Sequence, residues 1–148
     1  MELNLNVALI MGSLLLGVTA LASGIGIYIC GQAAIGAWKK ALLNNRPAPM
    51  LLIAFAANPV TQTFYAYILM SRLMEVSEAD PAKMLIYSGY CLAAAVSLFV
   101  TAVFQGKIGA YACDALVETR KGFAQYMAVM GSAEAVALFT MVFTVASL

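Results

Sequence analysis

The chain has 148 residues, of which 64% are hydrophobic and 10% charged, with a formal net charge of +1 and no histidine. A soluble domain carries about 25% charged residues, so the apolar runs point to a bilayer protein rather than a small globular core. The near-neutral balance excludes nucleic acid as a partner, since phosphate binding needs a concentrated basic patch, and the missing histidine removes the commonest general base and metal ligand.

The first apolar run begins "MELNLNVALIMGSLLLGVTALASG". It lacks a positive flank and continues to Trp38, so it reads as a retained helix rather than a signal peptide. Polar interruptions at 38–49, 71–83 and 114–122 divide the rest. The expected helices lie near 5–40, 49–75, 82–118 and 122–147, each reaching the roughly 20 residues that span hydrocarbon. The first and third are long enough to project beyond it. The fold class is therefore an all-α membrane protein of four transmembrane helices. Cys30, Cys91 and Cys113 fall in apolar stretches without C-x-x-C spacing and read as buried structural thiols.

Lys39, Lys40, Arg46, Arg120 and Lys121 flank the first and third interruptions, whereas the middle one mixes Arg72 and Lys83 with Glu75, Glu78 and Asp80. The positive-inside tendency puts the two hairpin turns in the cytoplasm and both termini outside, in keeping with the acidic Glu2. "ALLNNR" (41–46) matches "ALVETR" (115–120) at an offset of 74. The expected organisation is two duplicated helical hairpins, 1–76 and 77–148. Carried onward without gaps, the same offset sets Val60 opposite Glu134, so the first hairpin lacks a carboxylate there, while the outer helices align better near 78, with Ser23-Gly24-Ile25-Gly26 against Thr101-Ala102-Val103-Phe104. Gly17, Gly24 and Gly31 recur every seven residues, and Ala102, Gly106 and Ala110 every four. Such seams let backbones approach in lipid, either within one bundle or between many copies in a ring.

Glu134 is the only charged residue between Phe123 and Leu148. It lies about 18 Å from Gly122 and about 21 Å from the C-terminus along a helix, near the midplane. A charge there costs at least a few kcal/mol and must pair, protonate or bind a cation. Gln62 falls at the same depth; Asn58, Gln62 and Tyr65 share one face, with Thr61 beside it. Pro59 frees the carbonyl of Phe55 and favours a local kink, whose carbonyls can act as ligands. Gln105 adds a second carboxamide from the third helix. Lys107 is about 200° around that helix from Gln105 and snorkels away. One carboxylate among several neutral hard oxygens suits a monovalent cation. For any one of these polar residues, interhelical hydrogen bonding is a sufficient account; the whole set at the depth of a lone glutamate favours an ion site.

"SGIG" in the first helix, "NPVTQTFY" in the second, "FQGKIGA" in the third and Glu134 in the fourth occur in an order that resembles the rotor-ring proteolipids of V-type (bacterial V/A-type) ATPases. The resemblance is to the duplicated c or K proteolipid, and to its sodium-carrying members, and covers nearly the whole chain. It implies Na⁺ coordination by Glu134, Thr61, Gln62 and Gln105, completed by the backbone carbonyl of Asn58, with Tyr65 locking the glutamate. It further implies a ring of identical subunits and no cofactor beyond the transported ion. The ring would turn against a stator subunit with an essential arginine, with a central stalk at loops 39–48 and 117–122 and lipid around it. The subunit would be non-catalytic by itself, within an ATP-coupled complex in the cell membrane. Asn58, where an apolar residue is expected, and the small "GSAEAV" around Glu134 depart from the pattern. The competing readings are the same rotor carrying H⁺, a small four-helix cation or drug antiporter, and a purely structural membrane protein.

Overall fold

The computed structural model describes residues 2–148, with side chains from residue 6 onward, so the Glu2 side chain invoked for orientation lies outside the described residues. Every described element is helical: α1 (Glu2–Leu43), α2 (Leu52–Ala57), a 3-10 turn (Asn58–Val60), α3 (Thr61–Ala79), α4 (Met84–Thr119) and α5 (Phe123–Ser147). With α2 and α3 counted as one interrupted rod, these are the four expected helices. Three of them, Asn6–Leu43, Pro81–Thr119 and Phe123–Ser147, are each long and apolar enough to cross a membrane. The rod from Leu52 to Ala79 carries more polar residues but is also long enough, at roughly 42 Å.

The ends of the helices follow from local chemistry. Beyond α1, Asn45 takes a left-handed φ of 54°, and the Arg46 N–H donates back to the Ala41 carbonyl at 2.9 Å. Pro47 and Pro49 then prevent the helix from resuming, and the Trp38 indole N–H holds the turn by donating to the Pro49 carbonyl at 2.8 Å. α4 stops in the same way, with Arg120 at φ 57° and Gly122 at φ 91°. The second rod does not close at 75, as its charges suggest, but continues to Ala79. Glu75 pairs with Arg72 at 2.8 Å within the helix, and the helix-tolerant "EVSEA" carries it on to Pro81. The turn between the second and third helices is therefore Asp80–Lys83, closed by a 2.8 Å ion pair between those residues. The hydrogen bond from the Lys83 ammonium holds the partly exposed Asp80 carboxyl below its ordinary range.

Packing centres on α1 against α4. A Cβ added to Gly106 would lie 2.5 Å from the Cα of Gly26, and one added to Gly26 would lie 2.8 Å from Pro59 Cβ. The two backbones thus touch where the broken rod crosses them. Around this point the core divides in two. One apolar cluster gathers Leu15, Leu69, Leu73 and Leu98; the other gathers Phe55, Ala112, Leu116 and Met130 together with Cys30 and Cys113. Cys30, Cys91 and Cys113 are all buried free thiols, and the Sγ atoms of Cys30 and Cys113 are 3.8 Å apart. Between the clusters lies a layer of buried polar side chains, among them Ser23, Gln62, Thr101 and Gln105. Hydroxyl pairs brace each hairpin: Thr63 donates to Ser23 at 2.8 Å beside this layer, and Ser97 meets Thr140 at 2.9 Å further along.

The small-residue seams separate by position. Ala102 is fully buried and Gly106 meets Gly26, whereas a Cβ on Gly17, Gly24 or Gly31 would touch nothing within 4 Å. The heptad glycines therefore line an outer face of the protomer. Gly106→Ala is expected to destabilise the detergent-solubilised chain by about 1–3 kcal/mol, because backbone is what the new methyl meets. Gly17→Ala should leave the stability of a single chain unchanged or slightly raised. Thermal unfolding of the two variants checks the ordering, and equal losses would remove the Gly26–Gly106 contact as the central one.

Candidate ion-binding site

Three rods converge on Glu134. The 3-10 turn at Asn58–Val60 follows from Pro59, which denies the Phe55 carbonyl its helical donor. On α4, Gly109 leaves room beside that carbonyl: a Cβ there would stand 3.1 Å from the Phe55 oxygen. The turn also presents the Asn58 carbonyl to Thr61, which donates to it from its backbone N–H and lies within 3.0 Å through its hydroxyl. α3 thus begins at the polar layer, with Thr61, Gln62 and Tyr65 in its first two turns.

Glu134 Oε2 is approached by three donors and Oε1 by one. Gln105 Nε2 donates to Oε2 at 2.5 Å, Thr61 Oγ1 at 2.9 Å and Gln62 Nε2 at 3.3 Å. Tyr65 donates its hydroxyl proton to Oε1 at 2.5 Å. The two carboxamides are joined as well, Gln62 Nε2 donating to Gln105 Oε1 at 2.7 Å. Thr61 Oγ1 is also 3.3 Å from Gln62 Oε1. Its single proton serves one acceptor at a time, and the carboxylate is the nearest. Gln62 and Gln105 have no exposed surface, while Glu134, Thr61 and Tyr65 are partly buried.

Magnitudes explain why a carboxylate is tolerable here. An ionised side chain at the bilayer centre costs about 2.5–3.5 kcal/mol on insertion scales. A hydrogen bond to a charged group contributes about 1.5–3 kcal/mol, so four donors offset that penalty. No described buried side-chain nitrogen or oxygen is left without a partner. The same groups have a second use, because a carboxamide turned by half a revolution presents its oxygen instead of its N–H₂. Thr61 Oγ1, the carboxamide oxygens of Gln62 and Gln105, the Glu134 carboxylate and the Asn58 carbonyl are all hard oxygen donors, the type that suits an alkali cation. Among the described residues no group of three or more His, Cys, Asp or Glu could hold a metal, so cation binding here would rest on this mixed set.

The structure brings Glu134, Thr61, Gln62, Gln105 and Tyr65 into direct contact and sets the Asn58 carbonyl one hydrogen bond away through Thr61. The Phe55 carbonyl, freed by Pro59, faces α4 at Gly109. Val60 is exposed and stands outside the carboxylate's shell. Lys107 is exposed as well. Sequence reasoning missed the Gln62–Gln105 bond and the Ser–Thr braces. Gln105→Leu should lower the stability of the solubilised chain by about 1–3 kcal/mol, since it strips a donor from Glu134 and an acceptor from Gln62. Ser132→Ala, whose hydroxyl bonds only its own helix at Ala128, should change it by less than about 0.5 kcal/mol. Chemical or thermal unfolding of both variants measures the difference.

Comparison with known proteins bears on the half of the chain that carries Gln105 and Glu134. No curated protein matches the chain. Residues 88–146, about two-fifths of the chain, are similar to the family model for the C subunit of ATP synthase.

Proposed function

We propose that the chain is the rotor-ring proteolipid of a V/A-type ATPase and that Glu134 carries one monovalent cation, sodium by preference, during rotation. The observation that carries the reading is the convergence of Thr61, Gln62, Gln105 and Tyr65 on the one carboxylate at mid-depth. Binding a monovalent cation neutralises the site, whereas a divalent ion would leave excess charge. In this reading Glu134, Thr61, Gln62, Gln105 and the Asn58 carbonyl hold the ion, and Tyr65 holds the carboxylate closed over it. The proton remains the rival cargo for the same rotor.

The wider assembly belongs to the same proposal. Identical subunits pack through outer faces such as the Gly17–Gly24–Gly31 stripe, where nothing within the protomer opposes an added methyl. The two hairpins, 1–76 and 77–148, descend from one duplicated unit; the match of "ALLNNR" (41–46) with "ALVETR" (115–120), each ending its helix in the same way, supports this. The turns at 39–48 and 117–122 face the cytoplasm and dock the central stalk, both termini lie outside, and a stator arginine discharges each Glu134 in turn. The first hairpin carries no ion, so each subunit moves one.

Carbodiimide labelling tests the cargo. Millimolar Na⁺ at fixed pH is expected to slow labelling of Glu134 in the assembled ring, and absence of protection selects the proton. Glu134→Gln should abolish ATP-coupled ion transport while the ring still assembles; transport that survives makes Glu134 a packing residue. Tyr65→Phe removes the donor to Oε1 and should raise the labelling rate severalfold. The mass of the particle in detergent separates a many-membered ring from the dimer expected of an antiporter.

A further inference from the structure

The two helix-ending turns of α1 and α4 come together over a cavity of about 280 Å³. Its walls include Ala41, Leu51, Leu116 and Val117, and Arg46 and Arg120 line it too. Ala41, Leu116 and Val117 are buried, whereas both arginines are exposed. Each arginine comes from the same place in the matching stretches "ALLNNR" and "ALVETR", and each is fixed by its backbone N–H to a helix-end carbonyl, Ala41 for Arg46 and Leu116 for Arg120. The nearby acid is already engaged, since Glu118 pairs with Lys40. Among the described residues neither guanidinium has an ion-pair or hydrogen-bond partner.

Depth identifies what such a cavity meets. Leu116 is 11 residues beyond Gln105, and Leu51 is 11 before Gln62, which puts both about 16 Å from the level of the carboxylate. Arg120 is 15 beyond Gln105, about 22 Å away. The hydrocarbon half-thickness is about 15 Å, and the headgroup layer extends to about 20–22 Å. The apolar floor thus sits at the edge of the hydrocarbon and the guanidiniums at phosphate level. The C-terminal ends of α1 and α4 oppose an anion with roughly half a charge each, less than the two full charges of the arginines. A guanidinium fork matches the oxygens of a phosphate better than any neutral headgroup.

We propose that this cavity binds the phosphate headgroup of an anionic phospholipid, with Arg46 and Arg120 clamping the phosphate and the apolar floor taking the start of an acyl chain. The site is separate from Glu134, and its test does not depend on which ion Glu134 carries. The full-length chain, purified as its native assembly in neutral detergent and delipidated, is titrated with phosphatidylglycerol, phosphatidylcholine or inorganic phosphate, and bound lipid is counted by native mass spectrometry. Phosphatidylglycerol should be retained at about one per subunit and phosphatidylcholine at least tenfold more weakly. Arg46→Gln with Arg120→Gln should weaken phosphatidylglycerol about tenfold or more, while carbodiimide labelling of Glu134 stays unchanged. Should the double variant fail to assemble, each single variant is expected to lose affinity severalfold, and the double Arg→Lys variant to retain part of it. Equal retention of the two lipids, unchanged affinity in the Gln variants, or inorganic phosphate displacing the lipid at comparable concentration would each overturn the proposal. So would an acidic peptide binding there in preference to lipid.

Discussion

A carboxyl group at the middle of an apolar bundle must be surrounded by polar partners, and most of the architecture follows from that need. Glu134 sits on α5, but none of its donors does. Thr61, Gln62 and Tyr65 come from α3 and Gln105 from α4. The shell therefore exists only when three separate rods are held in register to within hydrogen-bond tolerance. α5 itself has few buried residues, Met130 and Ala137, and so adds little apolar packing of its own to fix that register. The rigidity has to come from the α1–α4 pair and from the broken rod lying against it.

Glycine makes that pair possible. With no Cβ at Gly26 or Gly106, the α1 and α4 backbones approach to contact distance, and Pro59 packs into the same crossing. Pro59 is also what ends the regular helix before Thr61. One crossing point thus sets the helix separation and starts α3 at the polar layer. Dispersion and close packing do the work that the hydrophobic effect does in water, because lipid tails are as apolar as the side chains they would replace. The Ser23–Thr63 pair then braces the first hairpin near the level of the carboxylate, and the Ser97–Thr140 pair braces the second about 9–12 Å away along the helices.

Much of this is legible in the sequence because depth in a membrane helix is a matter of counting. Gln62, Gln105 and Glu134 each stand 12 to 15 residues from a polar boundary, and a rise of about 1.5 Å per residue is enough to gather them at one level. The face shared by Asn58, Gln62 and Tyr65 follows from helical period. What counting does not supply is which helix touches which. Depth alone leaves open that Gln62 and Gln105 bond each other as well as the carboxylate, because lateral contact depends on helix rotation and crossing. The glycine seams are ambiguous for the same reason: period reveals a smooth face without saying what covers it. Gly106 faces α1, whereas Gly17, Gly24 and Gly31 face outward. The extension of α3 to Ala79 is hidden in the sequence because charged residues look like an interruption, although Arg72 and Glu75 stabilise a helix that leaves the hydrocarbon.

The division of the core into two apolar clusters on either side of the polar layer constrains how anything reaches Glu134. Leu69, Leu73 and Leu98 close the bundle on one side along its axis, and Phe55, Leu116 and Met130 close it on the other. A route parallel to the helices would therefore require a cation to cross packed hydrocarbon. The remaining approach is sideways, past the partly buried edge of Glu134, where Tyr65 holds Oε1 and Leu138, one turn along the same face, is exposed. In the proposed rotor such lateral access would let the site exchange its ion, and here it follows from where the leucines and phenylalanines lie rather than from the carboxylate itself.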